Sequence, residues 1–246
     1  MSRFWASVRF LTAVPVPRRW GEDVEALARS TPFFPVVGLL IGLVGAACCW
    51  QLQRVLPNPV AAVLLVVLLM AASRGLHMDG LADTADAFLS SRTRERMLEI
   101  MRDSHIGAMG VLAVVSVIVL KVTALATAAD ADRWRAMLLM PLAGRAALVV
   151  SMAVLPYARP DGGLGTVFFR RRPWISALWS VLVLAGVGWA VAGPRGLIAA
   201  ATATAATLGM AWYSHRKVGG ATGDTLGASC EIVECVPAIV LVAGSP

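Results

Sequence analysis

The sequence predicts an all-α fold: a polytopic integral membrane helical bundle of about seven transmembrane spans, with its catalytic loops on the cytoplasmic face. Three observations lead there. Hydrophobic residues make up 58% of the 246 and charged residues only 15%, and mean hydropathy is +0.72; a soluble domain carries about 25% charged residues. Apolar runs near the ~20 residues that cross a bilayer recur along the chain. The basic residues, finally, fall mostly in alternate connections.

The elements follow in order. Residues 1–32 open with MSRFWASVRFLTAVPVPRRW, basic residues around a short apolar patch with no small-residue cleavage site. That composition predicts an interfacial segment rather than a signal peptide. Spans are expected near 33–53, 59–75, 107–128, 136–156, 174–192, 196–213 and 226–244. Pro57 and Pro59 turn the chain after the first, and Gly193 with Pro194 makes a tight turn between the fifth and sixth. Trp50, Trp134, Trp174 and Trp212 stand near span ends, where amphipathic rings settle at the membrane interface. Three longer connections remain: an acidic catalytic loop at 76–106, a stretch at 157–173 and a glycine-rich turn at 214–225. All belong to one membrane-embedded domain, 1–246.

Of the 22 lysines and arginines, 16 lie on the side of the N-terminus and only 4 on the other, with Lys121 and Arg145 inside spans. This asymmetry places the N-terminus and the three long connections in the cytoplasm, in a cell inner membrane. It also accounts for the net charge of +7. The interleaved aromatic and basic modules of nucleic-acid binders are absent, so the bilayer, not nucleic acid, is the expected partner; a homo-oligomer is compatible with the sequence. Cys48, Cys49, Cys230 and Cys235 sit in apolar runs without metal-binding spacing and read as small core residues.

The densest polar feature is HMDGLADTADAF, residues 77–88. On a helix, Asp79, Asp83 and Asp86 fall within an arc of about 60°. Like charges on one face repel. A plain reading is a solvated acidic face offset by the Arg92–Arg102 run. The sharper one is a site for a hard divalent cation, Mg²⁺ above all, which favours carboxylate oxygens and bridges to phosphate. His77 would point away from Asp79 and joins such a site, as ligand or general base, only if the chain bends at Gly75 or Gly80; otherwise it caps the second span. His105 and His215 read as loop residues.

The second feature is GGATGDTLGASCEIVE, residues 219–234. Gly219, Gly220 and Gly223 allow close backbone approach just before a helix N-terminus, an arrangement that suits a phosphate. The plain alternative is a helix start capped by Thr222 or Asp224. Glu231 and Glu234 follow one turn apart inside the last span, where an acid costs on the order of 2.5–3.5 kcal/mol. Arg145, in the middle of span four, is the expected partner of Glu234 or Glu231, leaving the other acid for metal or substrate. Lys121, near the outer end of its span, is expected to snorkel. In EIMRDSHIGAMG, residues 99–110, Asp103 and Ser104 either cap the third span or act directly. In YARPDGGLGTVFFRRR, residues 157–172, Arg159, Arg170, Arg171 and Arg172 around Gly162, Gly163 and Gly165 either follow the topology or grip an anion.

Carboxylates, a phosphate-shaped turn and arginines on one membrane face point to metal-assisted phosphoryl chemistry. No Walker motif is present. In their order and separations, HMDGLADTADAF, ERMLEIMRDSHIGAMG and GGATGDTLGASCEIVE resemble the cobalamin synthase family, the adenosylcobinamide-GDP ribazoletransferases. RFLTAVPVP and ARPDGGLG extend the resemblance over nearly the whole chain. It departs from the family at His105, where members carry a basic residue. The resemblance implies the last steps of cobalamin biosynthesis: the alcohol of α-ribazole, or its 5′-phosphate, displaces GMP from adenosylcobinamide-GDP with Mg²⁺ as cofactor. It implies that Asp79, Asp83 and Asp86 hold the metal with Asp224 and Glu231. Gly220 and Gly223 would approach the phosphates, and Arg102 and Asp103 would grip the nucleotide. Two alternatives stand beside it. A cation-coupled secondary transporter would use the in-span charges, though no inverted repeat is evident. A CDP-alcohol phosphatidyltransferase-like enzyme would need a longer aspartate spacing than this chain has.

Overall fold

A computed structural model describes every residue except 1, 18–19, 21–22, 160–161, 163–164, 170–171 and 244–246. Of the residues named above, Gly163, Arg170 and Arg171 lie outside the described residues, as do Arg18 and Arg19 of the quoted N-terminal stretch. The described chain is helical: α1 Ser2–Leu11, α2 Val24–Ala28, α3 Phe34–Val55, α4 Asn58–Ala72, α5 Leu76–Phe88, α6 Arg94–Ile100, α7 Ala108–Thr127, α8 Asp130–Val154, α9 Thr166–Phe169, α10 Trp174–Val218 and α11 Gly223–Ala243. Among the described residues the only β-type pairing is an isolated bridge between Tyr157 and Ala221.

The centre is α8, nearly all of whose side chains are buried. Helices α3, α10 and α11 pack around it. Small residues let α3 come close: a Cβ on Gly38 would stand 2.6 Å from the carbonyl oxygen of Pro141, and one on Gly42 would strike the backbone of Leu138. Between apolar helices in lipid, such close van der Waals packing replaces the hydrophobic drive available in water. The outer faces carry exposed apolar side chains, among them Leu43, Val67, Val119 and Leu182, as a lipid-facing surface requires.

Among the described residues, five helices (α3, α7, α8, α10 and α11) are long and apolar enough to cross a membrane, and the fold is that of a polytopic membrane bundle. The count of seven crossings is not confirmed. Helix α4 has only 15 residues and turns by 90° into α5, so the pair is at most one broken span. Helix α10 breaks at Gly193, whose φ is +56° and ψ −136°. A continuous helix would separate Gly188 from Gly196 by about 12 Å, yet a Cβ on Gly196 would overlap the Gly188 carbonyl. The chain therefore doubles back at the Gly-Pro turn. The stretch 76–106, expected as a loop, is largely helical, and α5 and α6 account for most of it. Tertiary contact explains the difference: α5 packs along the first half of α11 and against α7.

Candidate active site

The bend after α4 builds the site. Arg74 (φ +56°) and Gly75 (φ +70°) are consecutive left-handed residues, a conformation glycine adopts freely and arginine at a cost. Helix α5 thus starts in a new direction. A Cβ on Gly80 would meet the Asp224 carbonyl at 2.8 Å, and one on Gly227 the His77 carbonyl at 3.1 Å. The close crossing of α5 over α11 sets Asp79 and Asp83 beside Asp224, at the very start of α11. Asp79 is exposed while Asp83 and Asp86 are half-buried, so the three do form one stripe.

Asp83 lies at the focus. Burial first, then repulsion from Asp224, Asp79 and Asp86, pushes its carboxyl up to about 7, with Arg159 opposing. Arg159 donates to Asp224 Oδ2 at 2.6 Å and to the Met101 carbonyl at 3.3 Å. It was expected on the substrate; here it holds a carboxylate in place. Tyr157 stands near Arg159, Asp224 and Arg102, and burial raises its phenol above the ordinary value.

The glycine-rich turn is tied down by backbone. Ala158 N–H donates to the Ala221 carbonyl and Ala221 N–H to the Pro156 carbonyl, each at 2.8 Å. Gly220, expected at the phosphates, instead admits this bridge, since a Cβ there would collide with the Pro156 carbonyl. Gly223 does face open space. Thr222 and Thr225 cap α11 reciprocally, with N–H to hydroxyl distances of 2.9 and 3.2 Å. Further ties come from Arg94, whose Nε reaches the Val218 carbonyl at 2.8 Å, and from Lys217, whose Nζ reaches the Phe88 carbonyl at 2.7 Å.

Several expected donors are committed elsewhere. Asp86 accepts N–H groups of Gly107 at 2.7 Å and Gly110 at 2.8 Å, satisfying orphan donors at the start of α7. Asp103 and Ser104 do not make that cap: Asp103 pairs with His105 Nδ1 at 2.6 Å in an exposed turn. His77 is 4% exposed and its Nδ1 lies 3.6 Å from Cys230 Sγ. The bend precedes it, so it sits on one unbroken helix with Asp79 and on the other side of it. Glu231, expected among the metal donors, is buried and bound to Lys121 Nζ at 2.5 Å. Lys121 does not snorkel; it is 1% exposed and also reaches Glu234 at 2.7 Å. Arg145 completes the group through the other oxygen of Glu234. Two cations and two anions thus close on one another inside the bundle, as charges in a membrane must. Among the described residues no three acidic, histidine or cysteine side chains close into a metal cage.

Sequence reasoning missed Tyr157, Lys121, Arg94 and Lys217. Lys121 carried a signal, because a lysine inside a span asks for acids on a facing helix. Tyr157 is one of two tyrosines in the chain and directly precedes the ARPDGG stretch. Nothing local marks Arg94 or Lys217 among so many basic residues.

Carboxylates and arginines thus gather at one end of an all-α membrane bundle. The sequence model of the cobalamin-5-phosphate synthase family, CobS, matches residues 3–242, and the chain belongs to this family. It is 45% identical, over 98% of its length and 89% of the relative's, to an adenosylcobinamide-GDP ribazoletransferase of Roseiflexus sp.. To the protein of that name from Geotalea daltonii it is 37% identical, over 98% of this chain and 96% of the other. To that from Citrobacter koseri it is 38% identical, over 95% and 96%. No solved structure matches.

Proposed function

We propose that this protein is the transferase that joins adenosylcobinamide-GDP to α-ribazole, or to its 5′-phosphate, in the last steps of cobalamin biosynthesis. A ribose hydroxyl of the ribazole forms the new bond to the phosphorus next to the cobinamide, the bridging P–O bond breaks, and GMP leaves with the electron pair. The hydroxyl proton passes to a carboxylate of the Asp79–Asp83–Asp224 cluster. The observation that carries the reading is the near full-length similarity to relatives named for this reaction.

The donor chemistry here suits Mg²⁺, although the described carboxylates do not close into a cage: three of them crowd together with one guanidinium, and the repulsion that lifts Asp83 is what a divalent cation relieves. Asp79, Asp83 and Asp224 would hold it, with waters completing its shell. Bound there, it supplies neutralisation of the diphosphate charge. Arg159 orients Asp224, and Arg102 with Tyr157 lines the same end for the nucleotide. The active face is read as cytoplasmic, from the arginine asymmetry, in a cell inner membrane. A cation-coupled transporter would use the in-span charges, but the relatives that match nearly the whole chain are named as transferases.

The test is GMP release by purified protein from adenosylcobinamide-GDP and α-ribazole, with Mg²⁺ and with chelator. Release that requires both substrates and the metal is expected; a protein that releases no GMP under any of these conditions is not this enzyme.

A further inference from the structure

Asp79 stands between two cavities of different character. The wider, about 520 Å³, is bordered by Arg74, Met78, Ile106 and Val114. The narrower, about 190 Å³, has Asp79 and Asp224 at its polar edge and walls that include Phe10, Leu148, Met152 and Phe168. We infer that the narrower cavity is the seat for the flat aromatic base of the alcohol substrate, leaving its ribose hydroxyls beside the carboxylates. This rests on the reaction proposed above and adds to it the subsite that selects the base.

Three observations carry the inference. The first is size: a cavity of about 190 Å³ is on the scale of a bicyclic base and far too small for a corrin macrocycle. The second is wall chemistry. A guanine lodged there would leave most of its polar edge against apolar side chains, and unpaired polar groups are costly. A methylated benzimidazole, the base of ribazole, has no such edge. Once joined to ribose through one ring nitrogen it keeps a single acceptor, the other ring nitrogen.

The third observation is His77, which also borders this cavity. Its ring is buried, and its Nδ1 lies 3.6 Å from Cys230 Sγ, a thiol that also reaches Glu234 Oε1 at 3.9 Å. In the tautomer the proposal requires, the ring hydrogen sits on Nε2, one donor for the one acceptor the base offers. His77 is thus a binding residue, set apart from the aspartate stripe.

The experiment uses the full-length protein in lipid nanodiscs. Met152→Phe narrows the cavity and should raise KM for α-ribazole about tenfold or more, while KM for adenosylcobinamide-GDP stays within about twofold. Phe168→Ala widens it and should admit a nucleoside with a tricyclic base that the parent protein rejects. A rise in KM for adenosylcobinamide-GDP instead would assign the cavity to guanine and overturn the proposal, as would no change for either substrate. A second arm needs no turnover. Calorimetric binding of α-ribazole alone should be about tenfold tighter than that of the indole nucleoside, which lacks the acceptor, and His77→Phe should erase that preference. Absence of α-ribazole binding to the parent protein overturns the inference. A protein that binds α-ribazole with this preference yet releases no GMP keeps the subsite and refutes the reaction.

Discussion

Asp83 titrates near 7 because burial and three other carboxylates oppose its charge, and the sign of the consequence follows. Its carboxyl is easier to protonate in the folded protein than in the unfolded chain. Its contribution to stability is therefore full below the ordinary carboxylate range and lost as pH rises through about 7. Metal-free protein should accordingly melt at a lower temperature at pH 8 than at pH 6, and Mg²⁺ should restore more at the higher pH. Differential scanning fluorimetry with chelator and with Mg²⁺ reads both effects, and Asp83→Asn should remove both. The same residue scale holds the chain's least legible interaction. Lys121 and Glu231 are 110 positions apart, and only the packed helices make them neighbours. Lys121→Met leaves Glu231 buried without a partner and should cost about 3–5 kcal/mol, seen as a lower unfolding temperature in detergent.

Among the elements, α5 carries the most consequence. Its aspartate stripe was readable from a 100° period, because three acids in eight positions fix a face wherever the helix goes. Its partners were not readable. Asp86 shares that stripe, yet its oxygens serve the first turn of α7, a role set by how two helices meet. Asp86→Ala should cost about 0.5–2 kcal/mol, the loss of a helix cap. It should also speed hydrogen exchange at the Gly107 and Gly110 amides while leaving Mg²⁺ affinity nearly unchanged. A collapse of Mg²⁺ affinity would make Asp86 a metal donor after all. The bend before α5 was half legible. Gly75 was named as a place where the chain could turn, but a left-handed Arg74 has no sequence signature. The turn at Gly193 and Pro194 was legible in full, since the dipeptide ends one helix and starts the next whatever surrounds it.

At the scale of the whole molecule, hydropathy located the apolar helices, and the arginine asymmetry gave an orientation that can be tested directly. Ser91 and Asn58 are both exposed, on the two sides that asymmetry distinguishes. In intact cells, Asn58→Cys should react with a membrane-impermeant maleimide and Ser91→Cys should not, until the membrane is opened. The pairing that unites the bundle was legible only as a choice of two glutamates for Arg145; the structure takes Glu234 and gives Glu231 to lysine. Arg145→Ala should therefore cost about 3–5 kcal/mol, and the exchange Arg145→Glu with Glu234→Arg should recover part of it in thermal unfolding. The order of these charges along the chain also bears on biosynthesis. Lys121 and Arg145 leave the ribosome well before the helix that bears their counterions. The nascent protein therefore holds two lone cations in the bilayer until its C-terminal segment inserts and neutralises them. A chain truncated ahead of that segment would keep the marks of an orphan membrane protein, which a quality-control protease can recognise.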